Sequence, residues 1–168
     1  NYAGLEGTGN VYTISIADAA IDADALVALN AKTTGTITLA GDTSISGTLA
    51  NVNTVLGGAG LASVAANLAI TVTDASITVA EADALSELTT GLVTATVAPG
   101  TLAANNAFAD SGGQVNNISF TVTDSTAAAA TLNALDAKTT VDIDVSAANA
   151  ISGAHADIVT LYGNTANF

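Results

Sequence analysis

The 168-residue chain sets two cations, Lys32 and Lys138, against 15 Asp and Glu, a formal net charge of -13 that repels nucleic-acid phosphates and acidic lipid, so nucleic acid is excluded as a partner. It has no apolar run of about 18 residues, which excludes membrane insertion as a spanning helix, and no Cys, which excludes a disulfide framework and thiol chemistry. Apolar residues make up 49% of the chain but are mostly Ala, Val, Ile and Leu, with three Phe, three Tyr and neither Trp nor Met. Such small fillers suit stacked thin layers better than one bulky centre.

In chain order, residues 1–10 read as a flexible arm, since Gly4, Gly7 and Gly9 make a poor strand. The stretch Gly4-Leu5-Glu6-Gly7-Thr8-Gly9 lacks the Lys of a phosphate loop and follows no strand. From residue 11 a tandem repeat takes over. Alternating phrases ending in Asp, at Ile14–Asp18, Ile70–Asp74 and Phe120–Asp124, each precede a Thr-Thr pair, Thr33-Thr34, Thr89-Thr90 and Thr139-Thr140, with the first Thr always 15 residues after the Asp. Between Asp and Thr lie Leu26/Leu29, Leu85/Leu88 and Leu132/Leu135, spaced to place two Leu on one face of a short helix. A second alternating strand follows each Thr pair, at residues 36–39, 93–97 and 142–145. Second-layer helices fit Leu49/Val52/Val55 and Ile151/Ile158/Leu161, with Leu102 and Phe108 in the middle repeat. Gly-rich insertions at residues 56–61 and 110–114 interrupt the period.

The expected fold is therefore α/β, a tandem-repeat β-α solenoid of about six strand-plus-short-helix coils of about 25 residues, with a parallel sheet on one wall. The strands should start near residues 12, 36, 69, 93, 118 and 141. One solenoid domain is expected over residues 11–168, in three double-coil repeats of about 11–68, 69–116 and 117–168. Asp18, Asp74 and Asp124, between strand and helix, read as helix caps or Asx-turn formers, with metal ligation as the competing role.

Alternation assigns Ile14/Ile16, Ile37/Leu39, Ile70/Val72, Val93/Ala95/Val97, Phe120/Val122 and Ile143/Val145 to the interior. The outward set then includes Thr36, Thr38, Thr71, Thr73, Thr94, Thr96, Thr121 and Thr123, a Thr-x-Thr ladder closed by Asp142 and Asp144. Thr is also the ordinary residue of a solvated sheet face, so the ladder reads first as strand propensity and, after that, as a flat array for a repetitive partner. Paired oxygens at Asp22/Asp24, Glu81/Asp83 and Asp142/Asp144 are the candidate metal ligands; lacking the Gly and closing Glu of a calcium loop, they support weak Ca²⁺ binding at most. His155 is the single His, which leaves no His-based triad or His-rich metal site. No cofactor and no catalytic residue is indicated.

A chain without Met fits processing of a leader or excision from a longer polypeptide, and with its acidic, Cys-free composition points to an extracellular or cell-surface location. The phrases Ile70-Thr71-Val72-Thr73-Asp74 and Phe120-Thr121-Val122-Thr123-Asp124, with the Ala-Leu helices and Thr-Thr returns, resemble repeat segments of large acidic cell-surface proteins of aquatic and cyanobacterial bacteria. That resemblance, over residues 11–168, implies a non-catalytic extracellular role in adhesion, coats or fibres and carries over no functional residues. The expected function is a structural subunit of a filament or surface layer, assembled with copies of itself through the solenoid ends and termini. The alternative is an adhesin or ice-binding module that uses the Thr ladder, with a polysaccharide or neighbouring surface proteins as partners.

Overall fold

Helices start where an oxygen reaches the first free amides. In the computed structural model, which describes residues 9–58, 61–62, 65–110 and 116–163, Asp22 accepts from the amides of Asp24 (2.9 Å) and Ala25 (3.1 Å) to begin α1 (Ala23–Asn30). The helix α2 (Leu49–Leu56) follows Thr48. Thr78 and Glu81 form a reciprocal capping box at α3 (Val79–Leu88), and the Thr101 hydroxyl caps α4 (Leu102–Asn105) at Ala104. Two further helices, α5 (Ala129–Asp136) and α6 (His155–Gly163), complete the helices of the described residues.

The chain divides into two compact units, residues 1–74 and 75–168. In the first, β1 (Ile14–Ile16), β3 (Ile37–Leu39) and β5 (Leu61–Ala62) pair in parallel. A second parallel set joins β2 (Ala20–Asp22), β4 (Ser44–Gly47) and β6 (Ala69–Val72). Register stacks like on like: Ile21, Ile45 and Ile70 stand opposite one another, at 5%, 1% and 0% exposure. Burying each such side chain contributes about 1.5–3 kcal/mol. The helices α1 and α2 pack side by side.

In the second unit β7 (Val93–Thr96) pairs in parallel with β8 (Asn117–Ser119), and β9 (Thr126–Ala128) with β10 (Ala150–Ser152). Parallel bridges add Ile77 to Val97, Gly100 to Val122, Asn116 to Thr139 and Thr121 to Asp144. The helix α5 packs against both α4 and α6. Phe108 and Phe120 fill the core with ring centroids 5.8 Å apart, in a tilted arrangement that suits the aromatic quadrupoles. Within each unit the described pairings are parallel and join residues between 20 (Ile77 to Val97) and 25 (Ile45 to Ile70) positions apart.

The architecture is thus α/β with parallel sheets and six helices among the described residues, and several finer expectations are corrected. The strands do not share one wall in the sequence-repeat register, because β6 lies opposite β4, not beside β1 and β3. The place beside β3 goes to β5, a two-residue strand at the Gly-rich insertion, which displaces Ile70 to the other sheet. Residues 142–145 form no strand, only a bridge at Asp144. Ile151 belongs to β10 instead of the helix, and Phe108 lies beyond the end of α4. Leu88, expected inside, is 54% exposed: it is the last residue of α3, turned off the face that carries Ala82 and Leu85. The expected arm falls mostly outside the described residues, as do parts of both Gly-rich insertions.

Candidate functional site

The outward positions of the strands are the first candidate surface. Thr36, Thr71, Thr73, Thr96 and Thr123 are exposed, and Thr38, Thr94 and Thr121 are half-buried. Thr38 stands beside Ser15, Thr71 beside Ser46, Thr94 and Thr96 beside Asn117 and Ser119, and Thr121 beside Asp144. Within each unit the expected Thr-x-Thr positions thus stand beside hydroxyl, amide and carboxylate side chains.

The Thr-Thr pairs have a different job. Their first members are interior, with Thr33 8%, Thr89 4% and Thr139 2% exposed. Each hydroxyl accepts the amide two residues on, from Gly35 (3.0 Å), Gly91 (2.8 Å) and Val141 (3.3 Å), closing the turn after the helix. Thr33 also donates to the carbonyls of Asn10 (2.9 Å) and Tyr12 (2.8 Å), and Thr139 to that of Ile118 (2.7 Å), so the same side chain ties neighbouring passes of chain together.

Several carboxylates accept from nearby amides and hydroxyls. Asp24 accepts from the Asn51 amide (2.7 Å) and from the amide and hydroxyl of Thr48, and these bonds, Asn51 first, hold its carboxyl below the usual value. Asp22 is the cap of α1. The Thr78 amide and hydroxyl likewise lower Glu81, and the Ser146 amide (2.9 Å) lowers Asp144 through an Asx turn. Asp83 accepts from Ala109 (3.0 Å). Asp142 is exposed on the pass that carries Asp144. Among the described residues no three of His, Cys, Asp and Glu come together as a metal cluster, and no helix is long and apolar enough to cross a membrane.

Two of the three repeated Asp residues, Asp74 and Asp124, cap helices, but not the helices that follow them in sequence. Asp74 accepts from the amide of Leu49 (2.6 Å), the first residue of α2, and Asp124 from that of Leu102 (2.5 Å), the first residue of α4. Each carboxylate thus reaches back 25 and 22 residues, respectively, to the preceding pass, and the residue before it does the same with its backbone. Thr73 donates to the Gly47 carbonyl (2.9 Å) and Thr123 to that of Gly100 (3.0 Å). Lys138 clamps the other end of α4, donating to the carbonyls of Asn106 (2.7 Å) and Phe108 (2.7 Å) and to the Asn106 side chain. Sequence reasoning missed this role for Lys138, whose only clue was its equivalence to Lys32.

Each unit also carries exposed apolar side chains. In the first, Val11 is 81% and Tyr12 58% exposed, and a cavity of about 200 Å³ is lined by Ile16, Asp18, Ala20, Ile21, Asp22, Ala25 and Leu26. In the second, Val159 is 56% and Tyr162 70% exposed on α6, and Ile151 and Ile158 are only half-buried. Their counterparts in the first repeat, Ile45 and Val52, are 1% and 0% exposed. Comparison of the chain with family models, curated proteins and solved structures returned no match.

Proposed function

We propose that this chain is a β-α solenoid and a non-catalytic structural subunit of an extracellular filament or surface layer, built by association of copies through their end coils. The observation that carries the reading is the parallel pairing of passes 20 to 25 residues apart within each unit, which gives an end coil the same open edge that interior coils close. Partly exposed core positions at the described ends support it, since a head-to-tail contact repeated without closure extends into a fibre. Carboxylates committed to amides favour scaffolding over acid-base chemistry. With a net charge of -13, subunits repel one another until salt or divalent cations screen them, which suits a saline external medium.

Light scattering and negative-stain electron microscopy test the reading. Raising salt from about 0.05 to about 0.5 M, which shortens the screening length severalfold, should increase particle size and give filaments or sheets. A monodisperse monomer at high concentration and high salt would refute it. The second reading, a binding module, rests on the adjacent rows Thr94/Thr96 and Asn117/Ser119, which offer four polar side chains to a repetitive polysaccharide or to ice. Retention on immobilised polysaccharide or ice by a chain that stays monomeric would select it.

A further inference from the structure

We propose that the inter-subunit junction is the internal capping contact repeated between copies, with Asp18 of one copy capping the α6 amide of His155 in the next. Three Gly residues, Gly47, Gly100 and Gly153, recur at an interval of 53, each two positions before the first residue of a helix: Leu49, Leu102 and His155. At the first two, the following pass closes the site in the same way. A backbone amide donates to the Gly carbonyl, from Thr73 to Gly47 and from Thr123 to Gly100, and the adjoining Asp74 or Asp124 accepts the first helical amide. At the third, no closing pass is found among the described residues. Among the described residues the Gly153 carbonyl and the His155 amide carry no hydrogen bond, and Ala154 has no side-chain oxygen with which to cap α6 locally.

The complementary half stands at the other described end. Ala17-Asp18 is the first-repeat counterpart of Thr73-Asp74 and Thr123-Asp124, and among the described residues neither the Ala17 amide nor the exposed Asp18 carboxylate has a hydrogen bond. Asp18 lies on the rim of the 200 Å³ cavity with Ile16, Ile21 and Leu26 beneath it. Ile16, Ile21 and Leu26 are 8%, 5% and 3% exposed, and in the third repeat, where helix α5 packs on α4, their counterparts Val122, Ala127 and Leu132 lose that remainder and are each 0% exposed. The cavity therefore has the lining of a site that takes a helix, and α6 presents Val159, Tyr162 and half-buried Ile158 as its apolar filling. Lys32 matches Lys138, the clamp on a helix C-terminal end, but unlike that of Lys138 its ammonium has no hydrogen bond among the described residues. The edge strands fit as well: β1 would lie beside β10 as β6 lies beside β4, with Ile14 opposite Ile151 as Ile70 is opposite Ile45.

The contact rests on the self-association reading, and two substitutions separate the two ideas. Asp18→Ala removes the acceptor. His155→Pro removes the donor while leaving a residue favoured at the first helical position. Sedimentation velocity on the full 168-residue chain should show concentration-dependent association that either substitution weakens at least about tenfold, the loss expected for a hydrogen bond to a charged group. Asp18→Ala also deletes a negative charge, so simple repulsion predicts the opposite sign. Each variant keeps one intact half, and an equimolar mixture should form a one-to-one dimer of wild-type affinity that grows no further. Circular dichroism checks that both variants fold. Wild-type assembly unaffected by either substitution, or a mixture that forms no dimer, overturns the junction and leaves the function standing. A wild-type monomer overturns both, and association that appears only after deletion of residues 1–8 assigns the cavity to that segment instead of a second copy.

Discussion

Replacing Thr139 by Val keeps the shape of the side chain and removes its hydroxyl, which isolates the hydrogen bonds from the packing. The hydroxyl donates 2.7 Å to the Ile118 carbonyl and accepts 3.3 Å from the Val141 amide, at a residue only 2% exposed. Loss of a buried partner leaves the carbonyl desolvated without compensation and costs about 1–3 kcal/mol. The Val141 amide is half-buried and can turn to water, so it adds at most a few tenths of a kcal/mol. A total of about 2 kcal/mol corresponds to a fall in Tm of about 4–8 °C for a chain of this size. The neighbouring Thr140 is exposed, and its conversion to Val should stay within about 0.5 kcal/mol. Thermal and urea denaturation followed by circular dichroism compares the two. If Thr139→Val is within about 0.5 kcal/mol of wild type, or if the two variants are equally destabilised, the buried hydroxyl is not what closes this turn.

Gly47→Ala should destabilise by about 1–3 kcal/mol, since a methyl there would sit 2.8 Å from the Ala23 Cβ and 3.1 Å from an Asp24 oxygen; Gly163→Ala, where a methyl meets nothing within 4 Å, should be neutral or slightly stabilising in the same melts. Leu132→Ala, at 0% exposure, should cost about 2–5 kcal/mol and Leu88→Ala less than about 0.5, read from urea midpoints; equal losses would contradict the assigned helix faces. Glu81 is held below its ordinary value chiefly by the Thr78 amide, so the folded state releases this proton more readily than the unfolded chain. Its contribution is therefore complete above the unfolded value and is lost as pH falls through the lower folded one, and Glu81→Gln should lower the neutral plateau of a Tm-against-pH curve more than its acid end and so flatten the acid limb. Burial acts in the opposite direction on Asp110, raising its carboxyl, so Asp110→Asn should remove a contribution that grows more favourable as pH falls.

Much of the local design was legible in the residues. The period-two alternation assigned inward and outward positions that the structure keeps at Ile37/Leu39, Ile70/Val72, Val93/Ala95/Val97 and Phe120/Val122. The Leu pairs located α1, α3 and α5. The 15-residue Asp-to-Thr spacing marked residues that the structure uses: Thr33, Thr89 and Thr139 point inward and close turns, and Asp74 and Asp124 cap helices as expected, though those of the preceding pass. The strands β2, β4, β9 and β10 escaped notice because each holds at most one large apolar residue among Ala, Ser, Thr, Asp and Gly, too little to show an alternation.

The sequence by itself determined the faces of the elements, because periods of 2 and 3.6 are written within a few adjacent residues and burial follows from them. It also determined the acidic surface and the recurrence of the capping and turn residues. Only the tertiary structure decided which pass lies beside which. That choice depends on how much chain is taken up between strands, and β5, a two-residue strand within the insertion, was enough to place Ile70 against Ile45 in the β2-β4-β6 set instead of beside β1 and β3. With the strands so paired, Thr71 stands beside Ser46 and Thr94 beside Asn117, and Asp74 and Asp124 come within hydrogen-bond reach of amides 25 and 22 residues upstream, a partnership that no local spacing encodes.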